Sequence, residues 1–175
     1  MENAVLHSLM TRRSIRSYKP DPVPQPLLDE IIKAGLYAAS GMGRQGTIIL
    51  QVTDPVLRDR LMRMNAACMG RDGTDPFYGA PALLVVLADR QCPTYLYDGS
   101  LVMGNLMNAA HALGLGSCWI HRAREEFDSP EGRQILQSLG IMGDYEGIGH
   151  LILGYPDGDA PEPKPRRDGR VVYAK

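Results

Sequence analysis

The sequence predicts a layered fold of helices and strands, α/β or α+β in class. Four short apolar runs, "TIILQVT", "PALLVVLA", "GSCWIH" and "GIGHLILGY", alternate with stretches whose apolar residues recur at helical spacing. "PALLVVLA" is apolar without a break, the pattern of a strand buried on both faces. Proline and glycine cluster between these runs, where the chain has to turn. At 175 residues the chain fits one domain, spanning 1–175, that can bury a full core without cross-links.

The elements follow in order. Residues 3–10 place Val5, Leu6, Leu9 and Met10 on one helical face, and "TRR" closes that helix. Pro20, Pro22, Pro24 and Pro26 then impose extended chain. A second helix starts near Pro26, turns Leu28, Ile31, Ile32 and Leu36 inward, and ends near Gly41. After the first strand, Asp54-Pro55 reads as an N-cap with proline at the first helical position; Leu57, Leu61, Met64 and Cys68 form the buried stripe. A long helix from about Tyr95 to Leu113 is lined by Leu101, Leu106, Met107 and Ala110. Ser129-Pro130 starts another helix that ends at Gly140, and residues 160–175 read as an extended surface segment.

Composition narrows the function. A formal net charge of -1 argues against a nucleic-acid binder driven by bulk electrostatics. The longest apolar runs are too short to span a bilayer, and residues 1–10 do not read as a signal peptide. Cys68, Cys92 and Cys118 form no C-x-x-C pair, so the expectation is reduced thiols in a cytoplasmic protein. His7, His111, His121 and His150 show no metal-ligand spacing; of the four, only His121 has a positional case for a cofactor.

"SGMGRQG" holds G-x-G-x-x-G at Gly41, Gly43 and Gly46, the spacing of a dinucleotide loop. That fingerprint needs a strand before the glycines and a helix after them; here a helix ends into the loop and a strand leaves it. As a dinucleotide loop the stretch fails, and taken alone it reads as a helix C-cap and turn. Positive charge gathers at two places, "TRRSIRSYK" and "KPRRDGR". Singly they read as helix-end cations and a solvated tail; together they suggest an anion site, since arginine forks match phosphate oxygens.

At these residues the chain resembles the nitroreductase family of FMN-dependent oxidoreductases. "RRSIRSY" resembles its N-terminal signature, "ASGMGRQG" stands where the family has a flavin loop, "LGLGSCWI" resembles the strand beside the flavin, and "GYP" with "KPR" the closing motifs. The similarity runs from about residue 8 to 173. It implies an α+β fold, a three-layer α/β/α sandwich around a mixed, mainly antiparallel sheet, in an intertwined homodimer with FMN at the interface. By the same resemblance Arg12, Arg13, Ser14 and Arg16 would hold the phosphate, ribityl chain and pyrimidine edge, and Lys164 and Arg166 would reach the phosphate. Ser40, Met42, Gly43 and Gln45 would approach from the partner subunit, while Cys118, Trp119, Ile120 and His121 would run along the ring. Trp119 and Cys118 have core packing as their alternative reading.

The implied activity passes hydride from NAD(P)H to the flavin and then to a nitroaromatic, quinone or similar acceptor in a ping-pong cycle. Arg16 is the candidate cation at the flavin's N1 and O2 edge, and no side chain is assigned as catalytic. The alternatives are another flavin chemistry, dehalogenation or flavin fragmentation, and a non-catalytic binder of flavin or phosphorylated molecules. Gly43 stands where the family commonly has Asn, and Gly46-Thr47 where it has Pro and an aromatic.

Overall fold

The computed structural model describes residues 3–174. Among these the order is α1 (Ala4–Thr11), α2 (Gln25–Leu36), β1 (Thr47–Val52), α3 (Pro55–Cys68), β2 (Ala82–Asp89), α4 (Tyr95–Ala112), β3 (Gly116–Ile120), α5 (Ala123–Asp128), α6 (Pro130–Ser138) and β4 (Tyr145–Gly154). Helix starts follow their capping chemistry. The Asp54 carboxylate accepts the Leu57 N–H at 2.9 Å ahead of Pro55, and the Ser129 hydroxyl accepts the Gly132 N–H at 3.0 Å ahead of Pro130. Asn3 caps α1 the same way, bonding the N–H groups of Val5 and Leu6.

The sheet runs β1-β2-β4-β3, with every neighbouring pair antiparallel. The parallel component expected of a mixed sheet is reduced to one bridge, Ser14 to Ser117. Uninterrupted β2 lies inside the sheet and feeds both faces. Leu84 and Val86 pack with Leu28 and Ile31 of α2 and Met103 and Leu106 of α4. Leu83, Val85 and Leu87 pack on the other side with Leu61 of α3, Phe127 of α5 and Ile135 of α6. Helices thus cover both faces, and the α+β three-layer sandwich stands.

Several expectations about individual elements are corrected. Helix α2 ends at Leu36 rather than near Gly41, and Leu36 is 55% exposed instead of inward-facing. In α3 the buried residues are Leu61, Asn65 and Ala66, which turns Cys68, at the helix end, out to solvent. Leu101 is half-exposed because α4 buries the stripe through Gly99, Val102, Met103 and Leu106. The six-residue α5 was not foreseen. The apolar face of α1 covers no core: Val5, Leu6, Leu9 and Met10 are 51–70% exposed. No helix among the described residues is long and apolar enough to cross a membrane.

Candidate functional site

The arginine-rich segment after α1 is laid along the edge of the sheet. The Ile15 N–H donates to the Ser117 carbonyl at 3.0 Å, the Lys19 N–H to the Tyr155 carbonyl at 2.9 Å, and the Asp157 N–H to the Ser17 carbonyl at 3.0 Å. Glycines make the close approach possible: a Cβ on Gly116 would press on Ile15, and one on Gly154 on Tyr18. Tyr18 donates its hydroxyl to the Ile15 carbonyl at 2.6 Å, and burial pushes its phenol pKa up. The motif is therefore a ribbon fixed to the sheet edge beyond the end of α1.

Beside the ribbon lies a cavity of about 310 Å³. Thr11, Arg13 and Ile15 form one wall, His111 and Ser117 another, and residues 156 and 158–160 a third. Its lining carries one cation, Arg13, and one anion, Asp159, with Arg12 close enough to act on His111. Arg13 crosses back to donate to the carbonyls of Met10 and Arg12 at 2.9 and 2.8 Å. The His111 pKa lies below its usual value, first through burial and then through the charges of Arg12, His7 and Arg13. Among the described residues two buried polar atoms have no hydrogen-bond partner here, the hydroxyl of Ser117 in the lining and Nη1 of Arg12 beside it. A hydroxyl and a guanidinium nitrogen left over at one place suit a multiply acceptor-bearing anion. Arg16 is exposed on the same ribbon, and Ser14 is half-buried opposite Ser117.

His111 was not marked out by the sequence as a site residue. It stands 100 positions from Thr11, whose Oγ1 lies 2.9 Å from its Nε2, so no local pattern announces it. The usable signal was its place in the last turn of α4 directly ahead of "LGLGSCWI".

The glycine loop sits elsewhere. Gly41–Gly43 forms one 3-10 turn, Met42, Gly43 and Gln45 have φ of 56°, 66° and 50°, and the Gln45 N–H bonds the Ser40 hydroxyl at 3.1 Å. Left-handed Met and Gln in one loop hold strain that the surrounding contacts have to fix. The Gly41 N–H donates to Asp98 Oδ1 at 3.0 Å, which moors the loop to the start of α4. Cβ atoms on Gly41 and Gly46 would collide with Thr94 and Cys92, so these two glycines serve packing. Only Gly43 has open space around it. Ser40 and Gln45 line a small pocket with Asp98, and Met42 is 89% exposed.

The two groups of site residues thus occupy opposite ends of α4, with Thr11 at His111 and Gly41 at Asp98. The thirteen residue steps from Asp98 to His111 span about 20 Å at the standard rise.

Strand β3 supplies the third group. Its inner edge pairs with β4, while on its outer side the described residues give one bridge, at Ser117. Cys118 and Ile120 send their side chains into the core, and Trp119 packs over Gly149 with the opposite core, so core packing is what these side chains do. His121 is exposed, with its carbonyl taken by Asn65 Nδ2 at 2.8 Å. Lys164 and Arg166 come later in the chain, on an exposed, irregular stretch outside the cavity lining.

Comparison with known proteins identifies the family. Residues 9–155 match the pattern described as "Nitroreductase family". A protein of Methanothermobacter thermautotrophicus is 28% identical over 120 residues, which make up 66% of this chain and 59% of that protein, so the matched part is less than two thirds of the relative's length. The FMN reductase [NAD(P)H] of Bacillus subtilis is 27% identical over 192 residues, covering 97% of this chain and 72% of its own. A crystal structure of a nitroreductase with bound FMN from Bacteroides fragilis superposes with a TM-score of 0.89 at 29% identity, covering 99% of this chain and all of the other. With the family pattern spanning the ribbon, the glycine loop and β3, this chain belongs to the nitroreductase family.

Proposed function

We propose that the chain is an FMN-dependent NAD(P)H oxidoreductase acting on nitroaromatic, quinone or similar acceptors as a homodimer. The observation that carries the reading is the cavity beside the ribbon, lined by Arg13 and the Ser117 hydroxyl and neighboured by Arg12, with that hydroxyl and Arg12 Nη1 unpartnered among the described residues. These donors fit the phosphate of FMN, with Arg13 and Ser14 beside them, and Lys164 and Arg166 on the exposed tail would have to fold back to join them. The FMN-bound structure from Bacteroides fragilis and the NAD(P)H-dependent reductase from Bacillus subtilis support the cofactor and the donor.

The flavin, when bound, supplies the hydride chemistry, accepting from NAD(P)H and giving to the acceptor in alternating half-reactions. The protein's own part is holding and shaping. The ribbon anchors the phosphate end, the outer edge of β3 offers backbone groups at Cys118, Trp119 and Ile120, and exposed Arg16 provides positive charge for the pyrimidine edge. Ser40, Met42, Gly43 and Gln45 sit by Asp98, about 20 Å along α4 from His111, and in the homodimer a second copy would bring its own loop to the flavin.

The test is the visible spectrum of the purified protein, recorded anaerobically before and after NADH or NADPH. A yellow protein with flavin bands that bleach on addition of either nucleotide is the expected result. A protein that is colourless and takes up no added FMN would overturn the reading.

A further inference from the structure

The hydroxyl of Thr11 fixes the proton of His111. It donates its single hydrogen to the His7 carbonyl at 2.8 Å, so at 2.9 Å from His111 Nε2 it can only accept. The neutral ring is thus held with Nε2–H pointing at Thr11 and with Nδ1 bare. His111 lines the same cavity as Arg13 and the unpartnered Ser117 hydroxyl. A bare Nδ1 repels an anion, whereas a protonated one would donate to it.

We propose that His111 is a phosphate-binding residue of the flavin site: it takes a proton at Nδ1 when a phosphate monoester dianion enters the cavity, and donates that proton to a phosphate oxygen. The inference rests on the flavin reading above and adds a specific residue and a proton count to it.

The surroundings set the direction. His7 faces the ring from α1, Arg12 and Arg13 from the ribbon, and Asp159 is the acidic member of the cavity lining, on the C-terminal segment. Strand β3 contributes only neutral Ser117 to that lining. With the cavity free of anion, burial and the three basic neighbours keep the His111 pKa below its usual value, so the ring is neutral at pH 7 and above. A dianion reverses the local field and lifts that pKa, so binding takes up a proton. By linkage, affinity then strengthens as pH falls toward and through the pKa of the occupied site. The last turn of α4 helps, since a helix C-terminus favours positive charge. The window lies above about pH 6, where the phosphate monoester is still a dianion.

The experiment uses the full chain stripped of flavin and titrated with FMN and with riboflavin, which lacks the phosphate, between pH 6.8 and 8.5, read by flavin fluorescence. FMN affinity is expected to rise at least about threefold from the alkaline to the acid end, approaching the limit of tenfold per pH unit for one proton; riboflavin affinity stays flat. His111→Gln keeps an N–H for Thr11, so its fold is preserved; it is expected to weaken FMN about tenfold at pH 6.8, the size of one charge-assisted hydrogen bond. The same variant flattens the pH profile and leaves riboflavin unchanged. The ring NMR signals of His111 are expected to titrate at higher pH with FMN bound. An unchanged FMN profile in His111→Gln, or a ring that stays neutral in the complex, overturns the inference while the flavin reading survives. Failure of the unaltered chain to bind FMN at any pH overturns both.

Discussion

Asn65, Glu126 and His150 are each fully buried, and they meet at a single oxygen. Glu126 Oε1 receives Asn65 Nδ2 and lies 2.9 Å from His150 Nε2, while the same Asn65 amide also holds the His121 carbonyl at 2.8 Å. Phe77 and Phe127 close over the imidazole with ring centroids 5.1 and 6.1 Å away. The cluster ties α3, α5 and β4 to the turn where β3 ends, and Arg122 in that turn is left-handed with φ of 81°. Replacing Asn65 by Ala leaves both the Glu126 oxygen and the His121 carbonyl short of a donor in a dry site. Each loss costs about 1–3 kcal/mol, so Asn65→Ala is expected to lower unfolding stability by about 2–6 kcal/mol in urea titrations. A loss under about 0.5 kcal/mol, the usual size of a surface change, would show that solvent reaches these groups. Nothing in the sequence announced the cluster. Its hydrogen-bonded members are 24 and 61 positions apart, and each looks like an ordinary polar residue in its own segment. His111 escaped notice for the same reason, whereas the arginine ribbon was readable because its charges are contiguous.

At the scale of elements, the residues that start helices are the most readable, because a cap acts over three positions; Asp54 and Ser129 bond where their spacing says they should. Helix ends and faces were less so. Leu36, Leu101 and Cys68 have the right chemistry for a core but lie off the buried stripes of their helices. The glycine loop holds the sharpest contrast. Gly41 and Gly46 exist for Thr94 and Cys92, and Gly43 exists for its backbone angle, so one motif has two physical causes. They separate by substitution. Gly41→Ala drives a methyl into the side chain of Thr94 at the start of α4 and is expected to cost about 1–3 kcal/mol, the range for overpacking. Gly43→Ala meets no atom and pays only for a left-handed alanine, about 1–2 kcal/mol. Adding Thr94→Ala to each variant decides the matter in thermal melts: it should recover part of the loss in Gly41→Ala and none in Gly43→Ala. Equal effects in both backgrounds would remove the packing explanation for Gly41.

For the whole molecule the proposed site turns on how the ribbon and the strained loop are separated. They meet α4 at His111 and Asp98, about 20 Å apart along the helix. Close to the ribbon end, α1 turns Val5, Leu6, Leu9 and Met10 to solvent, and an apolar groove of about 440 Å³ runs between α1, Ala34 of α2 and the Asn105–Ala109 turn of α4. Amphipathic spacing in α1 was evident in the sequence, but what its face covers was not, because periodicity reports that a face is apolar and not where its partner comes from. Four exposed large apolar side chains on one eight-residue helix form the kind of patch that marks an interface, and a second copy is the occupant the proposed site requires. Leu9→Glu sets a carboxylate in the middle of that patch while touching none of the residues that hold the cofactor. In sedimentation the unaltered chain is expected at twice the monomer mass of 19.2 kDa and the variant at the monomer mass. Because the glycine loop would then be missing from each site, the variant is also expected to lose FMN on gel filtration while its circular dichroism stays that of the folded chain. A folded monomer of Leu9→Glu that keeps one FMN per chain would refute the two-chain site and place the whole flavin within the ribbon and β3.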